Sequence, residues 1–180
     1  GNISRTYQSK STFEQDCLLL NAELSNTTEV TINAPLITTI NVSNNKLKTI
    51  NLYECQSLNN LICSSNELSS LDVSHNTNLK ELNMGDNPFI SLDMSNTLLE
   101  RLIYDNGMLQ SINVAGCERL EYLSCKSNRL TTIDVSDCIM LTKLECSNNP
   151  LTDVHLGNSK VNQLGANNNY VNTETSTAII

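Results

Sequence analysis

The sequence predicts a mainly β solenoid, in which stacked coils bury their apolar faces against their neighbours. A phrase of 20–21 residues recurs in register, as in LNNLICSSNELSSLDVSHNTN from Leu58 and LEYLSCKSNRLTTIDVSDCIM from Leu120. Apolar and polar residues alternate within each phrase, and an Asn column recurs at a fixed place. Repeats of this length are typical of stacked-repeat proteins, which present a surface, and a catalytic cleft is not expected.

Two series of apolar anchors give each coil two short strands. The first series is Ile40, Leu61, Leu82, Leu102, Leu123, Leu144 and Leu164; the second, ten residues later, is Ile50, Leu71, Leu92, Ile112, Ile133 and Val154. A second inward-type residue follows each anchor by two positions, such as Cys63 after Leu61. Because a period of two is that of a strand with one buried face, we expect two parallel sheets.

A column of asparagines stands five residues after the first-series anchors. Its members are Asn45, Asn66, Asn87, Asn128, Asn149 and Asn169. Gly107 interrupts the column, with Asn106 one place early. A side-chain amide both donates and accepts, so stacked asparagines can satisfy the backbone groups of the turns above and below.

The frame LxxLxCxxNxL resembles the leucine-rich repeat family over roughly residues 37–171. Its second half, LDVSxN, differs from that of the leucine-rich repeats whose outer face is helical. Ten residues that include a strand leave no room for a helix of average length. The resemblance is therefore to the short bacterial subclass. It implies a right-handed solenoid of about seven to eight coils, with two parallel sheets and little or no helix. A parallel β-helix is the competing architecture.

The chain of 180 residues suits one domain. We expect an N-terminal tail or cap over residues 1–16, the solenoid over 17–171 and a C-terminal tail over 172–180. Within the solenoid, residues 17–36 read as a degenerate first coil around Leu20 and Val30. An open last coil would expose strand edges, so end-to-end or edge self-association is a further expectation.

The net charge and the hydropathy of the chain argue against two kinds of association, with nucleic acid and across a membrane. A net charge of −8 argues against nucleic acid, because phosphate binding needs a basic stripe. No run of 18 apolar residues occurs, so no membrane-spanning segment is predicted.

The resemblance implies a secreted or cell-surface protein, with a lipid anchor outside this chain as one form of attachment. Cysteines without a disulfide pattern are more typical of the cytosol. We favour export because buried thiols need not oxidise.

The repeat accounts for six of the seven cysteines. Cys63, Cys125 and Cys146 occupy the inward position of the first strand, and Cys55, Cys117 and Cys138 stand five residues after second-series anchors. We expect reduced thiols that fill the core or cap turns. The spacing is not CxxC, which argues against zinc. Cys17 lies outside the register.

No constellation of catalytic residues is apparent, and the chain is predicted to be no enzyme and to need no cofactor. His75 falls in a turn and His155 replaces the Asp of LDV, neither with a nucleophile or carboxylate at a meaningful spacing. Phosphate loops and GxSxG are absent.

The column Asp72, Asp93 and Asp134, with Asn51 and Asn113, supports an alternative. Calcium could bridge these side chains in a calcium-dependent or structural, self-assembling repeat protein. The plainer hypothesis is that each Asp accepts hydrogen bonds from a nearby Ser or Thr, such as Ser70, Ser91 and Thr132.

The outward row of the first sheet is the predicted binding surface, and the partner is expected to be a protein of unknown identity. Its residues are Ile62, Glu81, Arg101, Ile103, Tyr122 and Lys143. Arg, Tyr and Ile are types that anchor interfaces when they cluster. The acidic neighbours Glu81, Glu100, Glu121 and Glu145 would steer a basic partner.

Overall fold

The structure, a computed structural model, describes residues 3–8, 17–19, 24 and 26–170. All regular secondary structure in these residues is strand, and every strand pairing is parallel. The predicted fold class, a mainly β solenoid with parallel sheets, is confirmed, with about seven turns. The described residues contain no helix long and apolar enough to cross a membrane. Packing divides the chain into two units, residues 1–88 and 89–180.

The first unit contains strands of two parallel sheets. The strands of one sheet are β1 (Ser4–Gln8), β3 (Glu29–Asn33) and β5 (Thr49–Asn51). The strands of the other are β2 (Cys17–Leu19), β4 (Thr39–Asn41), β6 (Asn60–Ile62) and β7 (Glu81–Asn83). They pair in that order, with Ile40 opposite Leu61 and Leu61 opposite Leu82. The first anchor series is therefore in register, as predicted.

The second unit has the same plan. Strands β9 (Arg101–Ile103), β11 (Tyr122–Ser124), β13 (Lys143–Glu145) and β15 (Gln163–Gly165) pair in that order. On the second face, β8 (Ser91–Asp93) pairs with β10 (Ser111–Asn113), and β12 (Thr132–Asp134) pairs with β14 (Asp153–His155). Paired residues are 20 or 21 positions apart in the sequence, which is the length of one coil.

Most predicted anchors form the core. The fully buried anchors are Ile40, Leu61, Leu82, Leu102, Leu123, Leu144 and Ile133. Leu164, in contrast, is 42% exposed, and no later strand of the described residues pairs with β15. Leu71 and Ile112 are only half-buried. The second anchor series thus packs less completely than the first.

One predicted strand does not form. Residues 71–73 are not a strand, and both Leu71 and Val73 are half-buried. The phrase around them, SLDVSH, differs little from TIDVSD, which forms β12 around Ile133. Local sequence therefore cannot explain the difference, because strand preference depends on packing against neighbouring strands.

The N-terminal residues join both sheets of the first unit. Strand β1, within the stretch expected to be a tail or cap, pairs with β3, and Val30 lies opposite Ile50. In β2 the backbone of Leu18 lies opposite Ile40. Leu20, around which the degenerate first coil was predicted, lies outside the described residues, as does the predicted tail over 172–180.

The asparagine column binds each coil to the one before it. In the first unit, Nδ2 of Asn66 donates to the carbonyl oxygens of Val42 and Cys63, both at 3.0 Å, while its Oδ1 accepts the N–H of Leu47 at 3.0 Å. The corresponding bonds are made by Asn87, Asn128, Asn149 and Asn169. Buried turn backbone is thereby paired, as the sequence predicted.

Gly107 leaves the column without an amide, and Tyr104 replaces it. The Tyr104 hydroxyl accepts the buried N–H of Phe89 at 3.1 Å, the bond that an Asn Oδ1 accepts in the other coils. A Cβ at Gly107 would collide with the Tyr104 ring, so glycine is needed to admit the phenol. Asn106 has φ 57°, and the residues just before the column in other coils have φ between 53° and 59°. It therefore serves the left-handed turn and is not a displaced member of the column.

The cysteine positions agree with the expectation of structural thiols. The six cysteines whose side chains the structure describes are all buried and free. Burial raises the pKa of Cys63 and Cys146 to about 12. In the second column, Cys117 Sγ donates to the carbonyl of Met94 at 3.0 Å, and Cys55 to that of Ile32 at 3.2 Å. These thiols occupy the place that Asn76 takes in another coil.

We expect the described thiols to react only when the protein opens, because the thiolate is the nucleophile and a raised pKa suppresses it. In a Cys17→Ser variant at pH 8, Ellman's reagent should modify the six remaining thiols far more slowly in native buffer than in guanidinium chloride. Rapid modification of one or more thiols in the native protein would contradict their buried placement.

Candidate functional site

The outward row of the first sheet is best defined in the second unit, where one aromatic ring contacts two cations. Parallel register places Tyr122 of β11 opposite Arg101 of β9 and Lys143 of β13. The Arg101 guanidinium carbon lies 4.0 Å from the centroid of the Tyr122 ring, and Lys143 Nζ lies 5.4 Å from it. Both distances are within the range of cation–π attraction. The three side chains therefore form a connected cluster, the Arg101–Tyr122–Lys143 row.

A carboxylate limits the positive charge of this row. Lys143 Nζ forms an ion pair with Glu145 Oε1 at 3.1 Å. A Cβ at Gly165 would meet the Glu145 carboxylate, so glycine in β15 leaves room for this side chain. The Arg101 guanidinium lies against the Tyr122 ring and is exposed. It is the cation of the row that a partner can reach most directly.

Ile103 lies beside the row and is half-exposed. Its neighbour across the sheet, Ser124, occupies the corresponding position of β11 but is fully buried. The reason is Asp105, whose Oδ1 accepts from the Ser124 hydroxyl at 2.7 Å and from the Lys126 N–H at 2.9 Å. Asp105 also forms an ion pair with Lys126 Nζ at 3.5 Å. A polar cluster therefore borders the row.

The remaining predicted residues lie in the first unit. Ile62 is half-exposed and stands between Asn41 and Asn83 in the register. Glu81 stands opposite Asn60, whose Nδ2 donates to its carboxylate at 3.1 Å. The structure thus brings Arg101, Tyr122 and Lys143 into contact and shows no comparable cluster around Ile62. A role in binding stays a prediction for all six residues of the outward row.

The aspartate column has local hydrogen-bond partners. The backbone N–H two residues later donates to Asp72, Asp93 and Asp134 at 2.9, 3.0 and 2.9 Å. The donors are Ser74, Ser95 and Ser136, so the expected partners Ser70, Ser91 and Thr132 were wrong. Sequence reasoning missed them because it sought donors before the Asp, whereas an Asx turn uses the residue two positions later.

The hydrogen bonds from these serines favour the ionised form of the three Asp carboxyls. Hydrogen bonds from the hydroxyl and the N–H of Ser74 and Ser136 lower the pKa of Asp72 and Asp134, and the N–H and hydroxyl of Ser95 lower that of Asp93. Asn113 Nδ2 also donates to Asp93 at 3.1 Å. Among the described residues, no group of three or more His, Cys, Asp or Glu side chains is arranged to hold a metal ion.

The two histidines occupy different settings. His155 Nε2 lies 3.0 Å from Asp153 Oδ2 on β14, so the expectation that it lacks a carboxylate partner was wrong. Both side chains are largely exposed, and an exposed pair of this kind contributes little. His75 lies in a turn, as predicted, and its ring centroid is 4.1 Å from that of Tyr53.

The Tyr53–His75 contact marks a cavity in the first unit that sequence reasoning missed. The cavity has a volume of about 340 Å³ and is lined by Ile50, Asn51, Leu52, Tyr53, Asp72, His75 and Asn76. It lies between β5 with its following turn and the segment around 71–73, where the second-face strand does not form. The repeat gave no signal for it, because the phrase at 71–73 is the ordinary one.

Comparisons with known proteins add a likeness among solved structures. A scan against protein-family models finds no match, and a search of curated proteins finds none either. Among solved structures, the chain is similar to the functional domain of InlJ from Listeria monocytogenes, which includes a cysteine ladder. The TM-score is 0.34 at 19% sequence identity, over 81% of this chain and 45% of that one. The present chain therefore spans less than half the length of that structure.

Proposed function

We propose that this protein is a non-catalytic module that binds a protein partner through the outward row of its first sheet. The observation that carries the proposal is the Arg101–Tyr122–Lys143 row, in which strands of one sheet hold three side chains in contact. Short parallel strands fix the backbone, so little ordering entropy is lost when a partner binds. Arg and Tyr are also the residue types that most often dominate interface energies.

The chemistry of the row suggests a partner with acidic and apolar groups opposite Arg101 and Tyr122, bordered by basic groups. Ile103 supplies adjacent apolar area on the same unit. Ile62 and Glu81 occupy the corresponding outward positions of the first unit, and we propose that they too contribute to binding. The acidic residues of the second unit near the row in sequence, Glu100, Glu121 and Glu145, would attract the basic groups. Association should therefore slow as salt is added, since exposed charges are screened.

We further propose a secreted or cell-surface location. Buried thiols support it, because Cys63 and Cys146 with a pKa of about 12 would resist oxidation outside the cell. Inspection of the full-length gene tests the location directly. A start codon immediately before this chain, without an apolar leader, would argue against export.

A partner can be sought by binding selection against bacterial and host surface proteins. We expect Arg101→Ala and Tyr122→Ala each to weaken binding of the selected partner by more than about 1 kcal/mol, roughly fivefold, in calorimetry. Asp134→Ala is the matched control, because it alters an exposed residue on the second face of the same unit. If the control weakened binding while Tyr122→Ala did not, the proposed surface would be wrong.

The calcium-dependent alternative predicts a different result. If Asp72, Asp93 and Asp134 hold calcium, millimolar calcium should raise the melting temperature of the wild type and not that of an Asp93→Asn variant. Unchanged melting in calcium would remove this alternative. Sedimentation velocity of the same samples tests end-to-end self-association, which would appear as species larger than the monomer.

A further inference from the structure

We propose that Asn106 is a site of spontaneous deamidation, at which the side-chain amide is lost and part of the product carries its main chain through the side chain as isoaspartate. Asn106 and Gly107 form the single Asn–Gly dipeptide of the chain. Asn106 is exposed and lies in the coil in which Tyr104 replaces the column amide. It is not one of the six predicted binding residues, so the inference does not depend on the proposed partner surface.

The reaction needs no reactant besides water. The backbone nitrogen of Gly107 loses its proton to a base in solvent and attacks Cγ of Asn106. The bond from Cγ to Nδ2 breaks, ammonia leaves and a five-membered succinimide forms. Water then breaks one of the two bonds from the ring nitrogen to a carbonyl carbon. Breaking the bond to Cγ gives aspartate, and breaking the bond to the main-chain carbon gives isoaspartate. The net change is amide plus water to carboxylate plus ammonium.

Glycine leaves the attacking nitrogen uncrowded, because it has no Cβ. In the other coils the same position holds an asparagine of the column, so that Asn44 and Asn148 are each followed by a larger residue. Packing keeps the glycine in place, since a Cβ at Gly107 would collide with the Tyr104 ring. The coil that uses a phenol in place of an amide therefore carries the reactive dipeptide as a consequence.

The folded turn holds the reacting atoms apart. Asn106 has φ 57°, in the left-handed region, where ψ is about +45°. This ψ directs the nitrogen of Gly107 away from the Asn106 side chain, whereas ring closure needs the nitrogen on the same side as Cβ. The N–H of Gly107 also donates to the carbonyl of Ser127 at 3.1 Å. The reaction therefore requires a local opening in which this bond breaks and ψ rotates.

The two products differ in their effect on the coil. Aspartate fits, because Asp86 occupies the same position of another turn with φ 53°. Isoaspartate adds one main-chain atom between the N–H groups of Asn106 and Gly107, which donate to the carbonyls of Lys126 at 2.9 Å and Ser127. Hydrogen bonds weaken steeply with poor geometry, and the changed spacing cannot keep both. Molecules that carry isoaspartate should be less stable.

Peptide mass spectrometry of the full chain tests the site. The protein is incubated at pH 8 and physiological temperature, in native buffer and in guanidinium chloride, and each asparagine is followed by the mass difference between an amide and a carboxylic acid. In guanidinium chloride, Asn106 should convert at least tenfold faster than Asn158, which precedes Ser159 in the same unit. In native buffer, Asn106 should still convert, at least tenfold more slowly than in guanidinium chloride, and remain the fastest asparagine.

Two variants separate the chemistry from the opening. Asn106→Ser introduces the residue that stands at this position as Ser65 and Ser127, both with positive φ, and should abolish the mass change without lowering the melting temperature. Tyr104→Phe removes the hydroxyl that accepts the N–H of Phe89 and should make opening more frequent. Conversion at Asn106 should then rise at least threefold in native buffer and stay unchanged in guanidinium chloride.

Three results would overturn the proposal. They are no conversion at Asn106 in native buffer, faster conversion at another asparagine such as Asn158, and equal rates in native buffer and guanidinium chloride. An unchanged native rate in Tyr104→Phe would exclude local opening as the route. Aged wild type enriched in isoaspartate should melt below fresh protein, whereas Asn106→Asp should melt close to it, and equal melting of all three would contradict the predicted damage. Since Tyr122 takes no part, failure here leaves the proposed partner surface untouched.

Discussion

Replacing Asn149 by alanine should lower the free energy of unfolding by about 3–5 kcal/mol. The side chain accepts the N–H of Leu130 at 3.1 Å and donates to the carbonyls of Cys125 at 2.9 Å and Cys146 at 3.0 Å. All these bonds are buried, so alanine would leave backbone groups of two successive coils unpaired where water cannot replace the amide. Urea unfolding followed by circular dichroism measures the loss.

Asn169→Ala is the matched control for burial. Asn169 makes the same set of bonds, with Leu151, Cys146 and Ala166, but its own surroundings are partly exposed. Water can therefore satisfy the freed groups, and the loss should be less than half of that for Asn149→Ala. Equal losses would show that burial does not determine how much each asparagine of the column contributes to the free energy of unfolding.

Substitutions at Tyr104 and Gly107, which replace the usual Cys and Asn in their coil, should be strongly coupled in their effects on stability. Gly107→Asn alone should destabilise by more than about 2 kcal/mol, because its side chain would collide with the Tyr104 ring. Tyr104→Cys alone should cost about 3–5 kcal/mol, since it opens a cavity and leaves the Phe89 N–H unpaired. The double variant restores the Cys and Asn pair found at Cys125 and Asn128. It should be more stable than either single variant.

A complete double-mutant cycle in urea measures this coupling. Tyr104→Phe separates the two functions of the phenol, because it keeps the ring and its edge contact with Phe89, at 5.8 Å between centroids, and loses only the hydroxyl. Its expected cost is about 1–3 kcal/mol. If the effects of Gly107→Asn and Tyr104→Cys were merely additive, the hydroxyl would not be the substitute for the missing amide.

The candidate surface shows where sequence reasoning succeeded in part. The repeat register placed Arg101, Tyr122 and Lys143 on neighbouring strands, because one residue per coil returns to the same place in a parallel sheet. The contacts of both cations with one ring, the ion pair of Lys143 and the burial of Ser124 depend on side-chain conformations. Column position alone does not specify those conformations, since each depends on neighbours up to 21 residues away.

The sequence by itself determined the coil length, the parallel sheets, the buried anchors and the asparagine column, because each depends on a residue type repeated at a constant interval. Only the tertiary structure decided the exceptions. Tyr104 substitutes for an amide through space, and residues 71–73 stay out of a strand despite an ordinary phrase. Beside that segment, Asn51, Tyr53, Asp72 and His75 line a cavity that the repeat did not predict. A repeat specifies what every coil shares, whereas departures arise from packing between particular neighbours, and packing is not encoded in local periodicity.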